Sequence, residues 1–189
     1  LDDAANQTGF PTDGQRTAGG GPTPCTHLLW YRMRTRSGCR GVCTATGQRR
    51  GDVATLMEEI WRFVTPTWMG LHSLRRLRRG VRRFGAAQNV PLRCETLWIP
   101  WLRPGRPAAE RVRAFIAEAL RRDLPVGFLN LSRGALRNLG GWHWVTIVSL
   151  APDTMQAGIY DNGEHRVVDL AVWLRTSALG GGFSVIEPV

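Results

Sequence analysis

Lysine is missing altogether: the 189 residues carry 25 basic side chains, and every one is arginine. Against 15 acidic residues this leaves a formal net charge of +10. Complete exclusion of one basic residue type is a mark of GC-rich coding rather than of a physical demand, yet an arginine-rich surface attracts phosphate and other anions whatever its origin. Long apolar runs are also missing. No stretch approaches the ~18 apolar residues of a spanning helix, so no membrane span is expected. The start, Leu1 to Pro11, has neither the basic nor the apolar region of a secretory signal, which makes the cytoplasm the default expectation and leaves export open. Cysteine is scarce: Cys25, Cys39, Cys43 and Cys94 are too few for a disulfide scaffold. Cys39 and Cys43 have no second pair at zinc-site spacing, so free thiols are expected and no metal or other cofactor is implied.

What is present suits one globular domain. Hydrophobic residues make up 43% of the chain and Trp occurs eight times, and a chain this long buries roughly 70% of its unfolded surface on folding. Residues 1–24 are rich in Gly, Pro, Thr and Asp without periodicity and read as an extended or disordered arm. The remaining residues, 25–189, divide into a helical part, 25–122, and an antiparallel-sheet part, 124–189.

The helical part opens with a short apolar cluster from Cys25 to Met33. Asp52 then suits an N-cap, with Val53, Leu56, Met57, Ile60 and Val64 at helical spacing until Pro66. A second stripe runs from Leu71 to Phe84 through Leu74, Leu77 and Val81, turning Arg75, Arg76, Arg78, Arg79, Arg82 and Arg83 toward water. A third helix is expected from Pro107 to Arg122. LRCETLWI, around Cys94, is strand-like. After Asp123 the period becomes extended in PVGFLNL, WHWVTIVSL, QAGIYD, HRVV and GFSVIE, which predicts an antiparallel meander interrupted by one short helix opened by Asp169. Helices followed by such a sheet make the fold class α+β.

Alternation along WHWVTIVSL predicts His143, Val145, Ile147 and Ser149 on one face and Trp142, Trp144, Thr146, Val148 and Leu150 on the other. A hairpin through Ala151 to Thr154 would return the chain so that Asp161 lies beside His143. Histidine with an adjacent carboxylate or amide is the base-plus-orienter half of a nucleophilic site. A core histidine hydrogen-bonded across strands, beside a plain Asp161-Asn162-Gly163 turn, is the structural alternative.

The run PVGFLNL, NLGGWHWVTIVSL, IYDNG, VVDLAVWL and LGGGFSVIEP resembles the C-terminal part of papain-like cysteine peptidases, in the bacterial branch that removes double-glycine leader peptides. The resemblance implies a papain-like fold, hydrolysis of peptide or amide bonds, a peptide or protein substrate and a catalytic order of Cys, His, then Asp or Asn. His143 and Asp161 match the last two positions, with Asn162 as a substitute orienter. Cys25 is the best match for the nucleophile, since it begins an apolar cluster and a helix N-terminus lowers a thiol pKa. The family's oxyanion Gln is missing or displaced: Gly19 stands six residues ahead of Cys25, and Gln15 ten ahead. Two other classes remain open: an inactive papain-fold binding module, and an arginine-driven anion or nucleic-acid binder. The last is disfavoured by the absence of any nucleic-acid-binding signature.

Overall fold

A computed structural model describes residues 22–35 and 50–189. The arm read at 1–24 therefore lies outside the described residues apart from its last three, as do Cys39 and Cys43. Among the described residues, five α-helices and a six-stranded antiparallel sheet make the protein α+β.

The helices form where apolar spacing and end signals agree. Helix α1 is Pro22–Thr35, longer at both ends than the apolar cluster predicts. Helix α2, Arg50–Trp61, begins two residues ahead of the expected cap Asp52 and buries Val53, Leu56, Met57 and Ile60. Helix α3 is Leu74–Ala87 rather than Leu71–Phe84. Its cap is Ser73, whose hydroxyl accepts from Arg76 N–H, while the carbonyl of Leu71 is taken by the indole of Trp144. Strand β1 follows at Leu92–Ile99, and then helix α4, Ala109–Arg121.

Strands β2 (Val126–Asn130), β3 (His143–Leu150), β4 (Gln156–Asp161) and β5 (Glu164–Asp169) form the expected meander. Helix α5, Leu170–Thr176, opens on Asp169, whose carboxylate accepts from Val172 N–H. It carries the chain across one face, so that β6, Gly181–Pro188, enters between β1 and β2 and gives the order β1-β6-β2-β3-β4-β5. The meander thus ends at β5, and one edge of the sheet comes from within the segment read as helical. Entry of β6 needs glycine: Gly181 has φ 145°, and a Cβ there would stand 2.0 Å from the carbonyl oxygen of Leu129.

Each face of the sheet carries its own core. On one, α1, α2 and α3 cover Leu92, Cys94, Ile186, Leu129 and Trp144. On the other, α4 and α5 cover Leu97, Phe183, Phe128, Val145 and Ile159, with Trp173 of α5 packed edge-on to Phe128 at 4.7 Å. The alternation predicted for β3 holds as far as Ile147. A bulge between Ile147 and Ser149 then reverses it. Ser149 moves to the α1–α3 face, where its hydroxyl crowds Gly158, and Leu150 packs on the α4–α5 core instead.

Candidate functional site

His143 begins β3 opposite Asn130, and its side chain shares the α4–α5 face with Val145 and Ile147. Asn130 is fully buried: its carbonyl accepts from the indole N–H of Trp173 at 2.8 Å, and its amide donates to the carbonyl of Gly140. The loop between β2 and β3 is thereby folded over this end of the sheet, with Leu136 and Leu139 in the core.

Asp161 ends β4 on the same face, because the two-residue turn Asn162-Gly163, both at positive φ, closes the β4–β5 hairpin with Asp161 opposite Glu164. His143 Nε2 lies 2.6 Å from Asp161 Oδ1, the contact that the hairpin spacing predicts. Asp161 Oδ2 accepts from Arg166 at 3.1 Å, and Arg166 also binds Glu164 and the carbonyl of Asn138. The residue that pairs with His143 is Asp161; Asn162 is an exposed turn residue. Arg166 was not singled out in the sequence, although a two-residue turn at Asn162-Gly163 puts it diagonally across from Asp161 on one face.

Burial pushes the Asp161 carboxyl up, but the hydrogen bond and charge of His143 and the charge of Arg166 outweigh it and hold the group below the usual carboxylate range. An ionised carboxylate only accepts, so Nε2 of His143 carries the proton on that side. In the neutral ring Nδ1 is then the bare nitrogen. Among the described residues it has no hydrogen-bond partner, and the side chain is 19% exposed. The unit can take a proton at Nδ1 and share the resulting charge with Asp161.

The thiols are placed differently. In α1, Tyr31 donates to Asp123 just ahead of β2, Leu28 lies over Gly127, and His27 Nδ1 is 3.2 Å from Thr146 Oγ1. Helix α1 therefore runs antiparallel to β2 on the α1–α3 face, and at ~1.5 Å per residue its N-terminus reaches the end of the sheet where β3 starts. Cys25 stands one turn inside that end, 2% exposed, in the same apolar cluster as Cys94 and Trp144. Burial, with a further contribution from Cys94, pushes its thiol well above the ordinary value. Neither thiolate character nor access is provided, and the sheet stands between Cys25 and the face that carries His143. Cys94 pairs with Ile186 on β6, and burial, eased by Arg78 and reinforced by Glu95, pushes its thiol up to about 12. Three strand spacings alone put β1 about 14 Å from β3.

Among the described residues no group of three His, Cys, Asp or Glu side chains could hold a metal ion, and no helix is long and apolar enough to cross a membrane. No protein-family model matches the chain, and no curated protein matches it either.

Proposed function

We propose that the protein is a papain-like relative of cysteine peptidases that has kept the histidine–carboxylate half of the site and works as a binding module rather than a hydrolase. The observation that carries this reading is Cys25: a thiol sealed in an apolar core, its pKa raised and separated by the sheet from His143, is not an attacking thiolate. The N-terminus of α1 is the position from which a thiol would approach the His143 end of the sheet. Pro22 opens the helix there, and among the described residues no exposed thiol stands at that end. Solvent-exposed Trp142, next to His143, offers apolar surface for a peptide ligand.

The test is incubation with a pool of unstructured peptides at neutral pH, with the wild-type protein beside His143→Ala and Cys25→Ala. Identical, background cleavage by all three is the expected result. Turnover lost in both variants would overturn the binding reading. A hydrolase remains the second reading because His143 Nδ1 has no hydrogen-bond partner among the described residues and the side chain is partly exposed. In that case Cys39 or Cys43 supplies the thiol, and cleavage would disappear in Cys39→Ala or Cys43→Ala while surviving in Cys25→Ala.

A further inference from the structure

Six arginines, Arg75, Arg76, Arg78, Arg79, Arg82 and Arg83, occupy the solvent side of α3, and all are exposed. The opposite side of the helix is spent on the core, through Leu74, Leu77, Val81 and Phe84. Among the described residues none of the six pairs with a carboxylate. Arginines elsewhere do: Arg93 and Arg122 with Glu187, Arg121 with Glu118, Arg166 with Asp161 and Glu164. Spacings such as Arg75–Arg79 and Arg79–Arg83 set like charges one turn apart, where each pair destabilises the helix. A coding bias toward arginine accounts for the residue type but not for the lack of interleaved Glu or Asp, which the neighbouring helix α4 has at Glu110 and Glu118.

Immediately before α3 the chain makes a tight turn, closed from both sides. Thr67 N–H donates to Gly70 O at 3.1 Å and Gly70 N–H to Thr67 O at 2.9 Å, while the Thr67 hydroxyl also donates to Gly70 O. Gly70 takes φ 75°, which the turn requires. The two residues held at the tip are Trp68, 94% exposed, and Met69, 41% exposed. Trp98, 45% exposed, stands beside the first turn of α3, since both it and Leu74 lie against Gly182. A pinned turn that holds an indole and a thioether in water, joined to a helix carrying six unpaired guanidinium groups, combines the two parts of a peripheral membrane contact.

We infer that the Trp68-Met69 turn and the arginine face of α3 dock on a bilayer surface bearing anionic phospholipid headgroups. The indole and Met69 enter the interfacial layer, and the guanidinium groups bind headgroup phosphates. Nucleic acid would use the same cations, but base stacking calls for aromatic platforms that receive successive bases. The tip instead pairs its one ring with a flexible apolar chain, which an interfacial layer accommodates and a base stack does not.

Sedimentation with vesicles decides the matter. With phosphatidylcholine and phosphatidylglycerol in about a 2:1 ratio and about 0.1 M salt, the protein is expected to pellet, and with phosphatidylcholine alone to stay in solution. Each Arg→Gln substitution should weaken binding roughly fivefold, so the triple variant Arg75→Gln/Arg79→Gln/Arg83→Gln loses about 100-fold. Trp68→Ser should weaken binding several-fold at unchanged salt dependence. Thermal melting of Trp68→Ser should match wild type and that of the triple variant should match or slightly exceed it, since all four side chains are exposed and the triple variant relieves two repulsive one-turn spacings. Failure to pellet with anionic vesicles overturns the inference. So does binding that is indifferent to Trp68→Ser, and single-stranded DNA binding in that second case would assign the arginine face to nucleic acid.

Discussion

On the α4–α5 face of the sheet an imidazole, a carboxylate and a guanidinium stand in a chain, His143–Asp161–Arg166; on the α1–α3 face two thiols, Cys25 and Cys94, stand among aliphatic and indole side chains. Asp161 and the two thiols are all buried, and burial alone drives each of these three groups toward its neutral form. Asp161 escapes because two cation-forming partners reach it and hold it ionised. The cysteines have no such partner of comparable strength, and burial decides their state. Depth is therefore no guide to reactivity without the neighbours. The same sheet builds a proton-accepting unit on one side and inert thiols on the other.

The largest effect is expected where the ionic face rests on its core. Trp173 is fully buried, packs on Phe128 and Phe183, and donates to Asn130 and the carbonyl of Ser132. Trp173→Ala should cost about 3–5 kcal/mol, a melting loss of ~2–4 °C for each of those in a protein of this size. It should also release Asn130 and the loop held over His143. Loss of stability without any increase in hydrogen exchange along residues 131–142 would break the link between that core and the site.

Next comes the pair itself. Asp161→Ala leaves His143 and Arg166 without their shared carboxylate and should cost about 2–3 kcal/mol at pH 7, less than the ~3–5 kcal/mol of a fully buried pair because Arg166 is 39% exposed and keeps Glu164. The pH dependence has a definite sign. A carboxylate whose folded pKa is depressed contributes fully above its unfolded value of ~3.9, and that contribution disappears as pH falls through the folded value. The stability gap between wild type and Asp161→Asn should thus be widest above pH ~5 and close below it, as read by denaturant melts across pH. A gap that stays constant with pH would mean that Asp161 acts through shape and not charge.

Cys25→Ala sharpens the contrast from the thiol side. It removes one buried sulfur and should cost about 1–2 kcal/mol, with no change in any activity that depends on His143. In the folded wild type, Cys25 and Cys94 should resist a thiol alkylating reagent at pH 7 and react only after unfolding, as followed by peptide mass mapping. Rapid alkylation of Cys25 in the native protein would return it to the role that its place at the head of α1 first suggested.

How much of this was legible in the sequence depended on the distance over which the signal acts. Periodicity marked the four long helices of the described residues to within a few residues, because the buried stripe of each is local, although α3 starts later since Ser73 caps it. The His143–Asp161 contact was legible for the same reason: one hairpin sets it. Arg166 was readable by one more step of alternation. Three features depended on contacts between distant segments and left no local trace: β6 inserting between β1 and β2, the bulge that reverses Ser149, and the side of the sheet that α1 covers. The last of these removed Cys25 from the site. A helix N-terminus lowers a thiol pKa only if the thiol faces the end of the helix, and residue spacing does not say which way Cys25 faces.

The smallest expected effect separates stability from function on the two surface helices. Helix α4 mixes signs, with Glu118 paired to Arg121 and Arg122; α3 carries six positive charges and no acid. Arg79→Glu would replace two repulsive one-turn spacings, to Arg75 and Arg83, with attractive ones. Attractive and repulsive pairs of this kind are each worth about 0.2–0.5 kcal/mol, so exchanging two repulsions for two attractions at the lower end of that range, as suits a solvent-exposed face, should make the variant more stable than wild type by about 0.8–1 kcal/mol, and the gain should shrink in high salt. A charge pattern that a single substitution can improve is held in place by something other than folding. If the Arg79→Glu protein melts higher yet binds anionic vesicles less tightly, the excess charge on α3 serves the surface contact at the expense of the helix. If its stability falls, the arginines of α3 support the fold through interactions of their own, and the contrast with α4 disappears.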